Sequence, residues 1–253
     1  MLVDSHCHIP MISHEGGVDA ILEEAAAHQV EHMLCVAVDL ESYPEILQLA
    51  HNHACISASV GVHPNTELKQ PLEAKHLLQL AEEREVVAIG ETGLDYFRSN
   101  GDLEWQRERF RTHIRVAREV AKPLIIHCRE AAPDLIDILC AEHAEEIGGV
   151  MYCFAEDWEV AQRAMELGFY ISFSGIVTFK NAQALKDVAR RVPLEKMLVE
   201  TDSPYLAPMP YRGRQNRPAF VRHVAEHIAG LREVSFEEIA SATTSNYYRL
   251  FSK

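Results

Sequence analysis

Short apolar runs rich in Val, Ile and Phe recur along the chain at 1–3, 33–38, 56–62, 86–89, 123–126, 149–151, 169–173 and 196–199. Between them lie stretches whose apolar residues return every three or four positions, at 18–28, 43–51, 73–84, 103–121, 131–143, 159–167 and 182–190. That spacing predicts helices with one buried face. Regular alternation of short buried strands with helices predicts right-handed βαβ units and a parallel sheet covered by helices. Eight such units in 253 residues predict a single closed (β/α)8 barrel of the TIM type. A doubly wound open sheet is the alternative, but no Gly-x-Gly-x-x-Gly follows the first run, so no dinucleotide site is expected. The tail, 218–230 and 235–251, predicts two further helices, and no linker, repeat or low-complexity segment divides 1–253 into more than one domain.

Composition sharpens this picture only a little. No apolar stretch approaches the roughly 20 residues of a membrane span, and the passage from Met1 directly into Val3 and His6 predicts no leader. Six cysteines are scattered without Cys-x-x-Cys spacing, which predicts reduced thiols and a cytoplasmic setting. A formal net charge of -14 argues against a broad basic surface for long nucleic acid, although it leaves room for a small anionic group held by a few arginines and a bound cation.

The chemistry concentrates at the strand ends. In Asp4-Ser5-His6-Cys7-His8, strand alternation points His6 and His8 to one side and Cys7 to the other, so two imidazoles form half a chelate. Glu91, His127 and Asp202 follow the fourth, fifth and eighth runs in the same way. In a parallel barrel these ends converge on one face, and five metal-competent side chains from four strands predict a metal site there. Mixed imidazoles and carboxylates suit one or two divalent ions such as Mg, Mn or Zn.

Taken with Gly61-Val62-His63-Pro64, Gly90-Glu91-Thr92-Gly93-Leu94-Asp95, His127-Cys128-Arg129 and Glu200-Thr201-Asp202-Ser203-Pro204, the chain resembles the TatD family of metal-dependent hydrolases, in the amidohydrolase-like barrel group. The resemblance covers the whole chain. It implies His6, His8 and Asp202 around one metal, Glu91 bridging two, and His127 with another histidine on the second. It also implies phosphodiester hydrolysis, with several members acting as 3′→5′ DNases. One position departs from the pattern: after the sixth strand the family pattern reads His-Cys-Phe, whereas this chain reads Tyr152-Cys153-Phe154. A phenol with a reference pKa of about 10 is a poor substitute for imidazole, so weaker occupancy of the second site is expected.

Further roles are expected on this basis. Asp202 is a ligand and a candidate general base, Glu91 a second catalytic carboxylate, and His63 and Arg129 are candidate phosphate donors or supports for the ligands. Asp95 could orient a ligating histidine or cap a turn, and Tyr205 and Asn216 lie in a Pro-, Arg- and Tyr-rich loop that could hold a nucleic-acid strand end. The predicted activity is a metal-dependent phosphodiesterase, with a hydrolase of small-molecule or aminoacyl-RNA esters or amides as one alternative and a catalytically weakened metal-binding protein as another. His223 and His227, four apart on a predicted helix, match a zincin-like pattern but have no third ligand in view.

Overall fold

The computed structural model describes residues 1–68 and 70–252. Its elements run β1 (Leu2–Cys7), α1 (Gly17–Ala27), β2 (Val30–Cys35), α2 (Tyr43–Asn52), β3 (Ile56–Val60), α3 (Ala74–Ala81), β4 (Val86–Asp95), α4 (Glu104–Val120), β5 (Leu124–Arg129), α5 (Ala132–Ala141), β6 (Gly149–Met151), α6 (Trp158–Glu166), β7 (Phe169–Phe173), α7 (Gln183–Arg191), β8 (Met197–Val199), α8 (Val221–Arg232) and α9 (Phe236–Phe251). The strands pair in parallel in sequential order, which is the predicted (β/α)8 arrangement. β8 is three residues long, and the barrel closes through the segment behind it. There Asp202 N–H donates to the His6 carbonyl at 2.9 Å and His8 N–H donates to the Ser203 carbonyl at 2.8 Å.

Two apolar layers follow from the two faces of each strand. Val3, Leu34, Ala88, Ile125, Val150, Tyr170 and Leu198 pack together inside the barrel, where Tyr247, Leu250 and Phe251 of α9 join them. The opposite faces, with Leu2, Met33, Ile89, Ile126 and Ile171, pack against the surrounding helices. α9 therefore plugs the end of the barrel where the strands start, and the other end is left for chemistry. Among the described residues no helix is long and apolar enough to cross a membrane.

Several strands run beyond their apolar cores. β1 was expected to stop at Val3 and β4 at Ile89, yet β1 continues through His6 to Cys7 and β4 through Glu91 to Asp95. The polar residues there are buried because each has a partner: Asp4 accepts from the Thr201 amide at 2.8 Å and from its hydroxyl at 2.6 Å, and Ser5 donates to the Val199 carbonyl at 3.0 Å. β2 likewise starts at Val30 rather than Met33, and β5 extends to Arg129.

Candidate active site

Two irregular steps in the sheet aim the site. Between Asp4 and Cys7, β1 advances three residues while β2 advances two, from Met33 to Cys35. β4 does the same against β5, with Ile89 facing Leu124 and Thr92 facing Ile126. Each extra residue is a bulge, which reverses the alternation beyond it. Val3 and Ala88 face the barrel interior, so uninterrupted alternation would turn Cys7 inward and Glu91 outward. The bulges instead bring His6, His8 and Glu91 to the mouth and leave Cys7 in the outer layer, its thiol on the Leu34 carbonyl. Just beyond the second bulge, glycine keeps the two strands together. At Gly93, with φ +133°, an added Cβ would lie 2.0 Å from the His127 carbonyl oxygen, so only glycine lets β4 lie flush against the strand that carries His127.

Glu91 divides the site into two halves. Its Oε2 lies 3.5 Å from His6 Nε2 and 3.9 Å from His8 Nε2, and its Oε1 lies 3.1 Å from His63 Nε2 and 3.2 Å from His127 Nδ1. On the first side His6 and His8 hold their Nε2 atoms 3.3 Å apart, and Asp202 Oδ1 stands 3.7 Å and 3.4 Å from them. Donors around one small divalent ion, at roughly 2.0–2.2 Å from it, stand about 3–3.6 Å from each other, so the two histidines, with Glu91 and Asp202 each 3.4–3.9 Å from both, approach the spacing of a coordination shell. Their proton states agree with that use. His8 Nδ1 is 2.9 Å from the Val36 carbonyl and donates to it, so Nε2 is the nitrogen that bares a lone pair when the ring is neutral. Burial lowers the pKa of His6, which keeps the ring neutral. Burial also disfavours charge on His8, but the hydrogen bond and charge of Asp202 and the charge of Glu91 outweigh it and push His8 up to about 9. A cation arriving here would displace that proton. Asp202 itself sits at φ +56°, a left-handed conformation that aspartate tolerates better than most residues.

The second side is built differently. His127 Nε2 donates to Asp95 Oδ2 at 3.1 Å, so Nδ1 is the nitrogen turned to Glu91. Burial opposes charge on His127, and the bonds and charges of Asp95 and Glu91 override it, pushing the ring up to about 9. His63 has the reverse arrangement: its Nδ1 accepts the Asn65 backbone N–H at 3.0 Å, so Nε2 carries the proton and donates it to Glu91. Between His127 and Glu91 lies the Tyr152 hydroxyl, which donates to Glu91 Oε1 and is 2.8 Å from His127 Nδ1. The Tyr152 ring stacks on His6 with centroids 3.9 Å apart and planes 14° apart. Burial, reinforced by the charges of Glu91 and Asp202, pushes this phenol well above its ordinary pKa and keeps it protonated.

The remaining sequence candidates fall into two groups. Arg129 and Tyr205 line the mouth of a cavity of about 810 Å³ above the metal-competent residues, together with Arg98 and Met11. Arg129 stacks over Phe97 at 4.3 Å, and the Tyr205 ring lies 6.4 Å from that of His8. Asp95 and Asn216 are buried instead. Asp95 Oδ1 accepts the Arg98 amide of the turn while Oδ2 takes His127. Asn216 departs from the expected strand-end contact: its Nδ2 donates to the carbonyls of Thr201 and Tyr205, which anchors the loop from beneath and leaves no amide hydrogen for a ligand. His223 and His227 lie on α8, away from this cavity.

Sequence reasoning missed the residues that hold the site from below. Glu200 is fully buried and accepts from the Cys153 amide at 2.6 Å and from the Ser172 hydroxyl, which fixes the turn that presents Tyr152. Asn65 ties His63 to Asp95, through its backbone N–H and its side-chain amide at 2.8 Å. Gln106 on α4 accepts the Asp95 amide at 2.8 Å. Asn65 directly follows the Gly61–Pro64 motif and Glu200 opens the Glu200–Pro204 motif, which was a usable signal; Gln106 gives none in the sequence.

Imidazoles and carboxylates gathered at the C-terminal mouth of a (β/α)8 barrel define the class as that of the metal-dependent barrel hydrolases. Comparison with known proteins narrows it: the profile of the family described as TatD related DNase matches residues 3–252. The chain therefore belongs to the TatD-related DNase family. It is 49% identical over 253 residues to the uncharacterized metal-dependent hydrolase YcfH of Escherichia coli strain K12, covering 99% of this chain and 95% of that protein. It is 41% identical over 252 residues to the uncharacterized metal-dependent hydrolase YabD of Bacillus subtilis strain 168, covering 99% of each. Among solved structures it is similar to YjjV, a TatD homologue from Escherichia coli K12, with a TM-score of 0.93, 30% identity and coverage of 100% of this chain and 98% of that one.

Proposed function

We propose that the protein is a metal-dependent phosphodiesterase that trims nucleic-acid strands from an end, with DNA and 3′→5′ polarity as the leading substrate and direction. The observation that carries this reading is the convergence on His6 Nε2 and His8 Nε2, themselves 3.3 Å apart, of Glu91 Oε2 and Asp202 Oδ1, each 3.4–3.9 Å from both nitrogens, at the floor of an open cavity. These residues would hold a divalent ion. Such an ion, when bound, polarises a phosphoryl oxygen and lowers the pKa of a water molecule towards neutrality.

The protein's own residues supply the rest. Asp202 is partly exposed to the cavity and directs one carboxylate oxygen at the histidines, which leaves the other to accept a proton from the attacking water. The guanidinium groups of Arg98 and Arg129 line the cavity and would hold phosphate oxygens. Tyr205, 55% exposed beside the His8 side, offers a face on which a terminal base stacks. The acidic overall charge and the glutamates at 130 and 156 on the same rim disfavour an extended strand, which supports engagement of an end.

The test is incubation of the Mn- or Mg-supplemented protein with single-stranded DNA labelled at either terminus, alongside model carboxylic esters. Release of mononucleotides from the 3′ end, at rates far above those on the esters, is the expected result. Ester cleavage without nucleotide release would replace the phosphodiesterase reading with that of a carboxylic-ester hydrolase.

A further inference from the structure

The two sides of Glu91 are unequal in what they can offer a cation. A ligand atom needs a lone pair free of hydrogen, and a catalytic ion commonly takes three protein ligands. On the His6 side, Glu91 Oε2 and Asp202 Oδ1 are bare carboxylate oxygens, a neutral His8 ring keeps its hydrogen on Nδ1 and not on Nε2, and His6 Nδ1 has no protein partner and is free to carry the hydrogen of that ring. On the other side His63 Nε2 has no free lone pair, because Nδ1 of the same ring already accepts the Asn65 N–H and the neutral imidazole must carry its hydrogen on Nε2. The Tyr152 oxygen carries its own hydrogen and spends it on Glu91 Oε1. What remains there is His127 Nδ1 and a carboxylate oxygen that already accepts two hydrogen bonds.

We infer that this protein holds a single ion, on His6, His8, Glu91 and Asp202, and that the hydrogens of Tyr152 O–H and His63 Nε2–H occupy the place of a second. The inference rests on the metal reading proposed above and concerns only the number of ions and the residues that set it. Tyr152 is then a positioning residue. Its hydroxyl satisfies the Glu91 oxygen that faces away from the ion, and its ring buttresses His6. His127 serves the same end, held by Asp95 from behind and meeting the Tyr152 hydroxyl in front.

Metal content separates the possibilities without reference to activity. The full-length protein is loaded with Mn²⁺ and desalted. Bound metal is then counted by elemental analysis, and the spectrum is recorded by electron paramagnetic resonance. The expected result is one ion per chain with the resolved hyperfine sextet of an isolated Mn²⁺. Tyr152→His removes the blocking hydroxyl and introduces a nitrogen lone pair beside Glu91 and His127, so the count should rise to two and the spectrum should show spin coupling through the shared carboxylate. Tyr152→Phe, which keeps the ring stack but supplies no ligand, should stay at one. Two ions in the wild-type protein overturn the inference, and so does a folded Tyr152→His variant that still holds one. Should that variant fail to fold, the wild-type count decides alone. No tightly held ion in the wild-type protein would overturn the metal reading itself, an outcome distinct from a count of two.

Discussion

The His6–His8 side and the His63–His127 side of Glu91 use the same kinds of side chain for opposite purposes. On the first, the neutral His8 ring directs its hydrogen away from the centre, Nδ1–H onto the Val36 carbonyl, so that Nε2 faces inward bare. On the second, hydrogens are directed toward the centre, from His63 and Tyr152 onto one Glu91 oxygen. Imidazole content alone therefore says little about where a cation sits; the partner of the second ring nitrogen decides it.

The comparison can be broken most forcefully from the first side. Asp202→Asn keeps the shape while removing a ligand charge and the candidate base, and nucleotide release should fall on the order of 10³-fold. An equal or greater loss from an isosteric change confined to the second side would erase the distinction drawn here.

The next largest effect concerns stability of the second side. His113 accepts the Val62 N–H at 3.0 Å, one residue before His63, and burial holds its pKa down to about 4 from an ordinary 6.5. Because the folded-state value is depressed, the unfolded chain takes up this proton first, so the contribution is complete above pH 6.5 and is lost as pH falls towards 4. The loss should reach about 3 kcal/mol, read from urea unfolding at several pH values. His113→Gln should flatten that dependence while lowering stability at neutral pH.

A smaller effect is expected for Asp95→Asn, which replaces the carboxylate behind His127 by an amide. Activity should drop about 10-fold. The metal count should not change, since His127 lies outside the proposed coordination shell. A fall in bound metal would reassign His127 as a ligand. The mildest change is Arg129→Ala at the exposed rim. It should raise KM a few-fold with kcat retained, and reduce the logarithmic salt dependence of kcat/KM by about one.

Much of this arrangement was legible in the sequence. The eight apolar runs identify eight strands because each is buried on both faces, and the recurrence of His, Glu and Asp after them marks the mouth. Strand lengths were less legible at β1 and β4, since Asp4, Ser5 and Glu91 look like strand ends until their buried partners are known. The bulges are invisible to any alternation rule. Without them the chemistry of Glu91 would point out of the barrel. Asn216 misled for a related reason, as an amide in a polar loop reads as a surface group although it spends both hydrogens on backbone carbonyls. The unequal halves of the site depend on ring tautomers, which follow from Val36, Asn65 and Asp95 and not from the histidines themselves.

The closure of the barrel behind β8 carries one more consequence. His6 and His8 belong to the first strand, and their backbone meets Asp202 and Ser203, nearly two hundred positions later. Three of the four ion-holding residues, His6, His8 and Asp202, are thus divided between the first and last segments of the barrel, contacts of the highest sequence separation, which are formed late when chain entropy dominates the order of events. A polypeptide emerging from the ribosome with its final quarter still unmade has the histidines and Glu91 but not the Asp202 carboxylate. Hydrolytic competence is thereby withheld until synthesis has passed the last strand, and the site doubles as a check on the completeness of its own chain.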